Sequence, residues 1–306
     1  MSNIYIILGI IFSVGLFLYS VISFGKIIKE IASQKIKTLL SSLTSNQTKG
    51  LVLGTVSTVV LQSGTAVSVL VANLADAGLI SFYNTLGIIF GLNIGASITS
   101  QLIAFNFMSV SPFIILLGLI VWWWGGRFKK YGQSIFYFGL LFFSIYLISL
   151  FFSYTDKEIL GNYLSIISNP AIAVLIGILA AIVFQSSSVV SGIVLVLVGS
   201  GHIDLVQSVG LILGANIGTT STVMIVSFTM LGKEAKKVAL SHFLFNFIGV
   251  LLILPFIGYF YNAVEYLGGN ITNKVANIYL IFNIVCAVIF MILIKPFYKF
   301  VNLIIK

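Results

Sequence analysis

The sequence predicts an all-α polytopic membrane protein with two inverted-topology repeats, about seven spans and two re-entrant helical hairpins. Three observations carry this expectation. First, only 8% of the 306 residues are charged and 59% are apolar, with a mean hydropathy of +1.16. A soluble domain needs roughly a quarter of its residues charged to cover its surface. Second, the apolar stretches run for about 20 residues, the length an α-helix needs to cross the hydrocarbon, without the alternation of a membrane β-strand. Third, the chain repeats itself.

In chain order, apolar spans are expected at 4–24, 81–107, 111–124, 132–152, 203–230, 238–262 and 275–295. The first lacks a positively charged leader and a small-residue cleavage site, so it is expected to be a retained span. Lys26 to Leu43 mixes Lys with Ile and Leu and is expected to lie as an amphipathic helix in the interface. Two further apolar stretches, 50–78 and 171–200, are each interrupted in the middle by small polar residues. Cys286 is the only cysteine, which excludes a disulfide framework and a cysteine-based metal site. The net charge of +9 is read as Lys and Arg retained on the cytoplasmic side and not as a nucleic-acid surface. Membrane lipid is thus the expected environment, and homo-oligomerisation is left open.

Internal similarity decides the organisation. Ser45–Thr99 falls on Ser168–Thr222 without a gap. Gly54 meets Gly177, Gln62 meets Gln185, Ser63 meets Ser186 and Ser68 meets Ser191. Gly87 and Gly91 then meet Gly210 and Gly214, and Asn93-Ile94-Gly95 meets Asn216-Ile217-Gly218. Biased composition can align Leu with Val, but not Gln, Asn and several Gly in register. If the interrupted stretches were single spans, the copies would be parallel. If they are hairpins entering and leaving on one side, the copies are inverted. Hairpins place every Lys and Arg except Lys157 and Lys274 on one face, whereas single spans move Arg127, Lys129 and Lys130 to the wrong side and only Lys157 to the right one. Basic residues stay cytoplasmic, so hairpins are favoured, with the N-terminus outside and the C-terminus cytoplasmic. One transport domain over 1–306 is expected, with repeat 1 at about 1–125, repeat 2 at about 126–262 and an extra span at 275–295.

The interruptions are the polar knots Gln62-Ser63-Gly64-Thr65 and Gln185-Ser186-Ser187-Ser188. Broken backbone at membrane depth is tolerated only where protein or a wet cavity satisfies it. The residues after each break start a half-helix whose free N–H groups and dipole favour an anion. Paired breaks in matching repeat positions point to a transporter's substrate site. The glycines at spacing four are explained by close helix packing. Asn93 and Asn216 need buried partners, and Thr219, Thr220, Thr222, Ser97 and Thr99 add hydroxyls, hard oxygen ligands for a small cation.

No Arg or Lys falls inside an expected span, so a buried anion would keep uncompensated charge at a cost of several kcal/mol. A co-bound monovalent cation would remove that cost, and oxygen-only ligands point to sodium. Asp76, and His202 with Asp204, read as markers of hairpin ends. His242, inside a span, reads as a buried hydrogen-bonded side chain, with a pH-sensitive role also open. An intramembrane hydrolase using Ser and His242 is the enzyme alternative, but neither a Gly-x-Ser-x-Gly elbow nor a His-Glu-x-x-His motif is present.

At these residues the chain resembles the type II sodium–phosphate cotransporter family, specifically its bacterial members, over about 45–262. That family carries inverted repeats with a Gln-Ser-Ser-Ser knot followed by Asn-Ile-Gly-Thr. The second copy, Gln185-Ser186-Ser187-Ser188 with Asn216-Ile217-Gly218-Thr219-Thr220, matches; the first departs at Gly64 and Ala96, each of which removes a hydroxyl. The resemblance implies a non-enzymatic symporter of sodium and inorganic phosphate, in the cell membrane, working by alternating access. It implies substrate contacts at Ser63, Thr65, Ser187 and Ser188 and sodium contacts at Gln185, Ser186, Thr219 and Thr222. The knots and the repeat add Gly64, Asn93 and Asn216 to the expected substrate set, and Gln62, Thr99 and Thr220 to the expected sodium set. The departures leave symport of another small anion as the alternative.

Overall fold

The computed structural model describes residues 3–42, 46–105, 107–155, 161, 164–256, 258, 259, 262, 266 and 268–306. Among them every regular element is helical. Helix α1 spans Asn3–Ser42, α2 Gln47–Leu61, α3 Gly64–Asp76, α4 Phe82–Ala104, α5 Ser111–Trp124 and α6 Lys129–Ser153. In the second half α7 is Pro170–Phe184, α8 Ser187–Gly199, α9 Leu205–Met230, α10 Lys233–Ile253, α11 Ile271–Ile292 and α12 Ile294–Ile304.

Six helical stretches are long and apolar enough to cross a bilayer, the exception among the expected spans being Met108–Trp124, which is apolar but shorter. The protein is therefore an all-α polytopic membrane protein. Two expectations about elements change. Lys26 to Ser42 is no separate helix: α1 runs through it as one 40-residue helix, about 60 Å long at 1.5 Å per residue, while Leu43 lies outside the described residues. No Gly or Pro falls between Lys26 and Ser42 to break the helix. The chain after Ile292 also does not simply end a span, because Leu293 turns it into α12, whose Ile294, Phe297 and Val301 are buried while Lys295, Lys299 and Leu303 face outward. The expected charge marker Lys157 lies outside the described residues.

Both interrupted stretches are helical hairpins, α2–α3 and α7–α8. Their arms have 15 and 13 residues, about 20 Å each, short of the roughly 30 Å hydrocarbon. Local chemistry fixes the ends. Asn46 and Asn169 cap α2 and α7 through their side chains, and Pro170 opens α7 where its missing N–H costs nothing. Asp204 and Gln207 form a capping box on α9, so Asp204 is a terminus marker as expected. Asp76 is one too: its carboxylate accepts the Gly232 N–H at 2.9 Å.

The two hairpins enter from opposite ends of the bundle. Helix α4 starts at the open end of the first hairpin, and its last residues Ile103 and Ala104 share a cavity with Gly199 and Ser200 at the open end of the second. Helix α9 starts from that second open end and finishes at the turn tied to Asp76. Each hairpin's first arm packs on the long helix that follows it, through glycines in repeat-equivalent pairs. A Cβ on Gly54 would overlap the Ile88 carbonyl oxygen, and one on Gly177 the Leu211 carbonyl oxygen; Gly91 stands in the same way to Leu51 and Gly214 to Val174. Outward, Phe113, Leu116, Trp123 and Trp124 of α5 are exposed apolar surface, suited to lipid.

Candidate functional site

The two hairpin tips have the same backbone. Gln62 (φ 51°, ψ 28°) and Gln185 (φ 51°, ψ 27°) end their first arms in the left-handed region, and they are the only non-glycine residues at positive φ among those described. The next residues, Ser63 (φ −156°) and Ser186 (φ −156°), turn extended and cap the second arms, their hydroxyls accepting the N–H of Ala66 and Val189 at 3.1 and 3.3 Å. This reversal aims the first N–H groups of α3 and α8 away from their own hairpins.

Both tips open onto one small cavity. Its wall contains Gln62, Ser63, Gly64 and Thr65 from one hairpin, and Gln185, Ser186, Ser187 and Ser188 from the other. Asn93, Ala96 and Thr99 of α4, Asn216 and Thr219 of α9, Thr58, Leu92 and His242 complete it. Every residue expected to contact substrate is there, and of those expected to hold sodium all but Thr220 and Thr222. Thr220 is fully buried, its hydroxyl donating to the Ile217 carbonyl at 2.6 Å. Thr222 instead lines an adjoining vestibule of about 540 Å³ with Ser63, Thr65, Gln185, Asn73 and Lys29. The inner cavity measures about 40 Å³, room for about three water-sized groups, which suits a small tetrahedral anion or a desolvated ion better than an organic substrate. Its wall has no Asp, Glu, Lys or Arg. Among the described residues no group of three or more His, Cys, Asp or Glu could hold a metal; the wall offers hydroxyl and amide oxygens and the single imidazole of His242.

The two departures from the repeat's hydroxyl pattern meet in space. A Cβ on Gly64 would lie 3.9 Å from that of Ala96 and 3.6 Å from Leu92. One corner of the cavity is thus apolar where the second repeat offers Ser187 and Thr219.

Asn216 is the hub of a buried network that sequence reasoning missed. Its Nδ2 donates to Asn246 Oδ1 at 3.0 Å and Asn283 Oδ1 at 3.3 Å, while its Oδ1 accepts from the Tyr279 hydroxyl at 2.9 Å. Asn246 Nδ2 returns a bond to the Asn216 carbonyl at 3.1 Å. The network joins α9, α10 and α11 behind the cavity. Amides in the middle of apolar spans were its sequence signal, since each needs a partner. Asn93, the repeat-equivalent residue, instead donates to the Ile89 carbonyl of its own helix at 2.9 Å. Lys29 was also missed, because α1 carries it beyond the end expected for the first span.

Comparison with known proteins places these features. A family described as Na+/Pi-cotransporter matches residues 16–150 and 154–292. The chain is 33% identical over 278 residues to "Uncharacterized protein YqeW" of Bacillus subtilis, covering 90% of each chain. It is 33% identical over 139 residues to human sodium-dependent phosphate transport protein 2B, covering 42% of this chain and 20% of that one. It is 23% identical over 279 residues to "Putative inorganic phosphate export protein YjbB" of Escherichia coli, covering 89% of this chain and 51% of that one. The chain thus spans nearly all of the first relative, but about a fifth of the second and about half of the third. No solved structure matches it. With the match running through both repeats, the chain belongs to the Na+/Pi-cotransporter family.

Proposed function

We propose that the protein is a sodium-coupled symporter of inorganic phosphate in the cell membrane, moving both by alternating access. The observation that carries this reading is the convergence of two half-helix N-termini, from hairpins of opposite entry, on one cavity of hydroxyl and amide groups without a charged residue. Free N–H groups and helix dipoles attract an oxyanion. The absence of a neutralising side chain leaves several kcal/mol of desolvation cost to be offset by a co-bound cation. Gln62 and Thr99, with Gln185, Ser186, Thr219 and Thr222, are the oxygen donors proposed for sodium; Ser63, Gly64, Thr65, Asn93, Ser187, Ser188 and Asn216 are proposed for phosphate.

The domain reading follows the same logic. A single transport domain holds repeat 1 at about 1–125, repeat 2 at about 126–262 and the extra span at 275–295. Basic residues orient it with the N-terminus outside and the C-terminus cytoplasmic. The names of relatives support phosphate and sodium, and one of them speaks of export. Net direction therefore belongs to the gradients imposed, and is tested with them.

Purified protein in liposomes decides the matter. Phosphate uptake driven by an inward sodium gradient, and absent when potassium replaces sodium, is the expected result. Equal uptake in both salts would remove the coupling; sulfate or arsenate transported in place of phosphate would correct the substrate.

A further inference from the structure

The cavity receives its two sets of backbone donors from α3 and α8, and a third helix, α10, contributes one side chain with a donor of its own. His242 of α10 lies in the cavity wall, and it is the one titratable side chain there. Its Nδ1 lies 3.0 Å from Ser68 Oγ on α3. The other ring nitrogen, Nε2, has no hydrogen-bond partner among the described residues, and with the ring in the cavity wall it is the nitrogen left for a ligand there.

Ser68 settles which nitrogen holds the proton. Buried serines in helices commonly donate to a carbonyl three or four residues back, as Ser97 and Ser144 do here. Ser68 is fully buried and makes no such bond among the described residues. A buried hydroxyl needs an acceptor for its proton, and the imidazole is the partner at hand. With Nδ1 accepting from Ser68, the proton of a neutral ring sits on Nε2 and faces the cavity, since the bond made by one ring nitrogen sets the state of the other.

We propose that His242 is a phosphate-binding residue, a neutral donor from α10 locked in its Nε2–H tautomer by Ser68, which acts as a positioning residue. The inference rests on the transport reading above. It breaks the repeat symmetry: Ser191, the counterpart of Ser68, is buried with its hydroxyl unpaired. A single side-chain donor on one side of the cavity would orient a tetrahedral oxyanion against the two helix ends.

The experiment measures phosphate binding to detergent-solubilised protein at saturating sodium for wild type, His242→Ala, His242→Gln and Ser68→Ala, with size-exclusion profile and thermal midpoint as fold controls. A hydrogen bond to a charged group is worth a factor of about 10 to 100 in affinity, so His242→Ala is expected to weaken phosphate by that much. His242→Gln restores an amide N–H and is expected to recover most of the loss. Ser68→Ala frees the tautomer and is expected to cost several-fold. A folded His242→Ala that binds phosphate within twofold of wild type overturns the inference. A folded His242→Gln as weak as His242→Ala also overturns it, assigning the residue to packing between α3 and α10. Failure of wild type itself to bind phosphate would strike the transport reading instead, and is thereby told apart.

Discussion

A glutamine held at φ 51° costs the fold about 1 kcal/mol relative to glycine, and the chain accepts that cost at both hairpin tips. Glycine would serve the turn's backbone alone; Gln62 Nε2 also donates to the Val59 carbonyl of its own helix at 2.6 Å, whereas the Gln185 side chain makes no such bond among the described residues and must supply something the turn does not need. Replacing Gln185 by Gly relieves the strain while loosening the unfolded chain, two effects of about 1 kcal/mol that oppose each other. Gln185→Gly is therefore expected to keep its thermal midpoint in detergent near that of wild type and to lose more than about tenfold in sodium-driven uptake, the scale of one hydrogen bond to a charged group; retained uptake would show that the glutamine only turns the chain. Asn216 makes the opposite case. Asn216→Ala strands the Tyr279 hydroxyl and the amides of Asn246 and Asn283, and is expected to destabilise by about 2–4 kcal/mol, read as a lowered unfolding midpoint. At this scale the sequence was legible where two copies agree: the knots and both Asn residues were visible because each vouches for the other. Asn246, Asn283 and Tyr279 were not, and His242 was read as a buried hydrogen-bonded side chain without its partner Ser68, because a hydrogen-bond partner on another helix leaves no trace in spacing.

Helices approach closely only where a side chain is missing, and the matched glycines show which crossings matter. The arm α2 lies on α4 through Gly54 and Gly91, and α7 lies on α9 through Gly177 and Gly214, each pressed against the carbonyl of a repeat-equivalent partner. A methyl added at Gly91 or Gly214 forces the pair apart, so Gly91→Ala and Gly214→Ala are each expected to destabilise by about 1–3 kcal/mol. Gly15, with nothing within 4 Å of its added Cβ, is the control: Gly15→Ala should be neutral or stabilising by up to about 1 kcal/mol. Unfolding midpoints of the three variants side by side check the ranking. Most elements were readable from apolar length, including both hairpins. The exceptions share one cause. The unbroken α1 and the added α12 were missed because hydropathy windows register neither a helix that continues past its apolar stretch nor packing such as that of α12, whose Tyr298 stacks on Phe82 with centroids 5.4 Å apart; α5 was read at 111–124, where it stands packed on α6 through Gly118, Gly132 and Gly139.

The molecule as a whole is asymmetric about its own pseudo-symmetry. Gln185, Thr222 and Thr65 line the 540 Å³ vestibule beside Lys29 and Asn73. Their repeat-equivalents Gln62, Thr99 and Ser188 line a pocket of only about 30 Å³, closed by Phe24, Phe138, Leu141 and Phe142. The two copies of one sequence pattern thus face different surroundings, a wide vestibule along α3 in one case and a small pocket walled by aromatic side chains in the other. Inverted repeats that exchange states would expose the site to the opposite side without new parts. A single-cysteine experiment tests this, since Cys286 is the only native cysteine and is buried. In a Cys286→Ala background, Asn73→Cys should react with an impermeant maleimide applied from the cytoplasmic side, and Phe138→Cys should resist it from either side. Sodium gradients that drive the opposite state should slow labelling at position 73 and allow labelling at 138 from outside. Reactivity at 73 from the outside would invert the membrane orientation proposed from the basic residues. Labelling at both positions at once, from both sides, would describe an open pore, and no alternating mechanism survives that result.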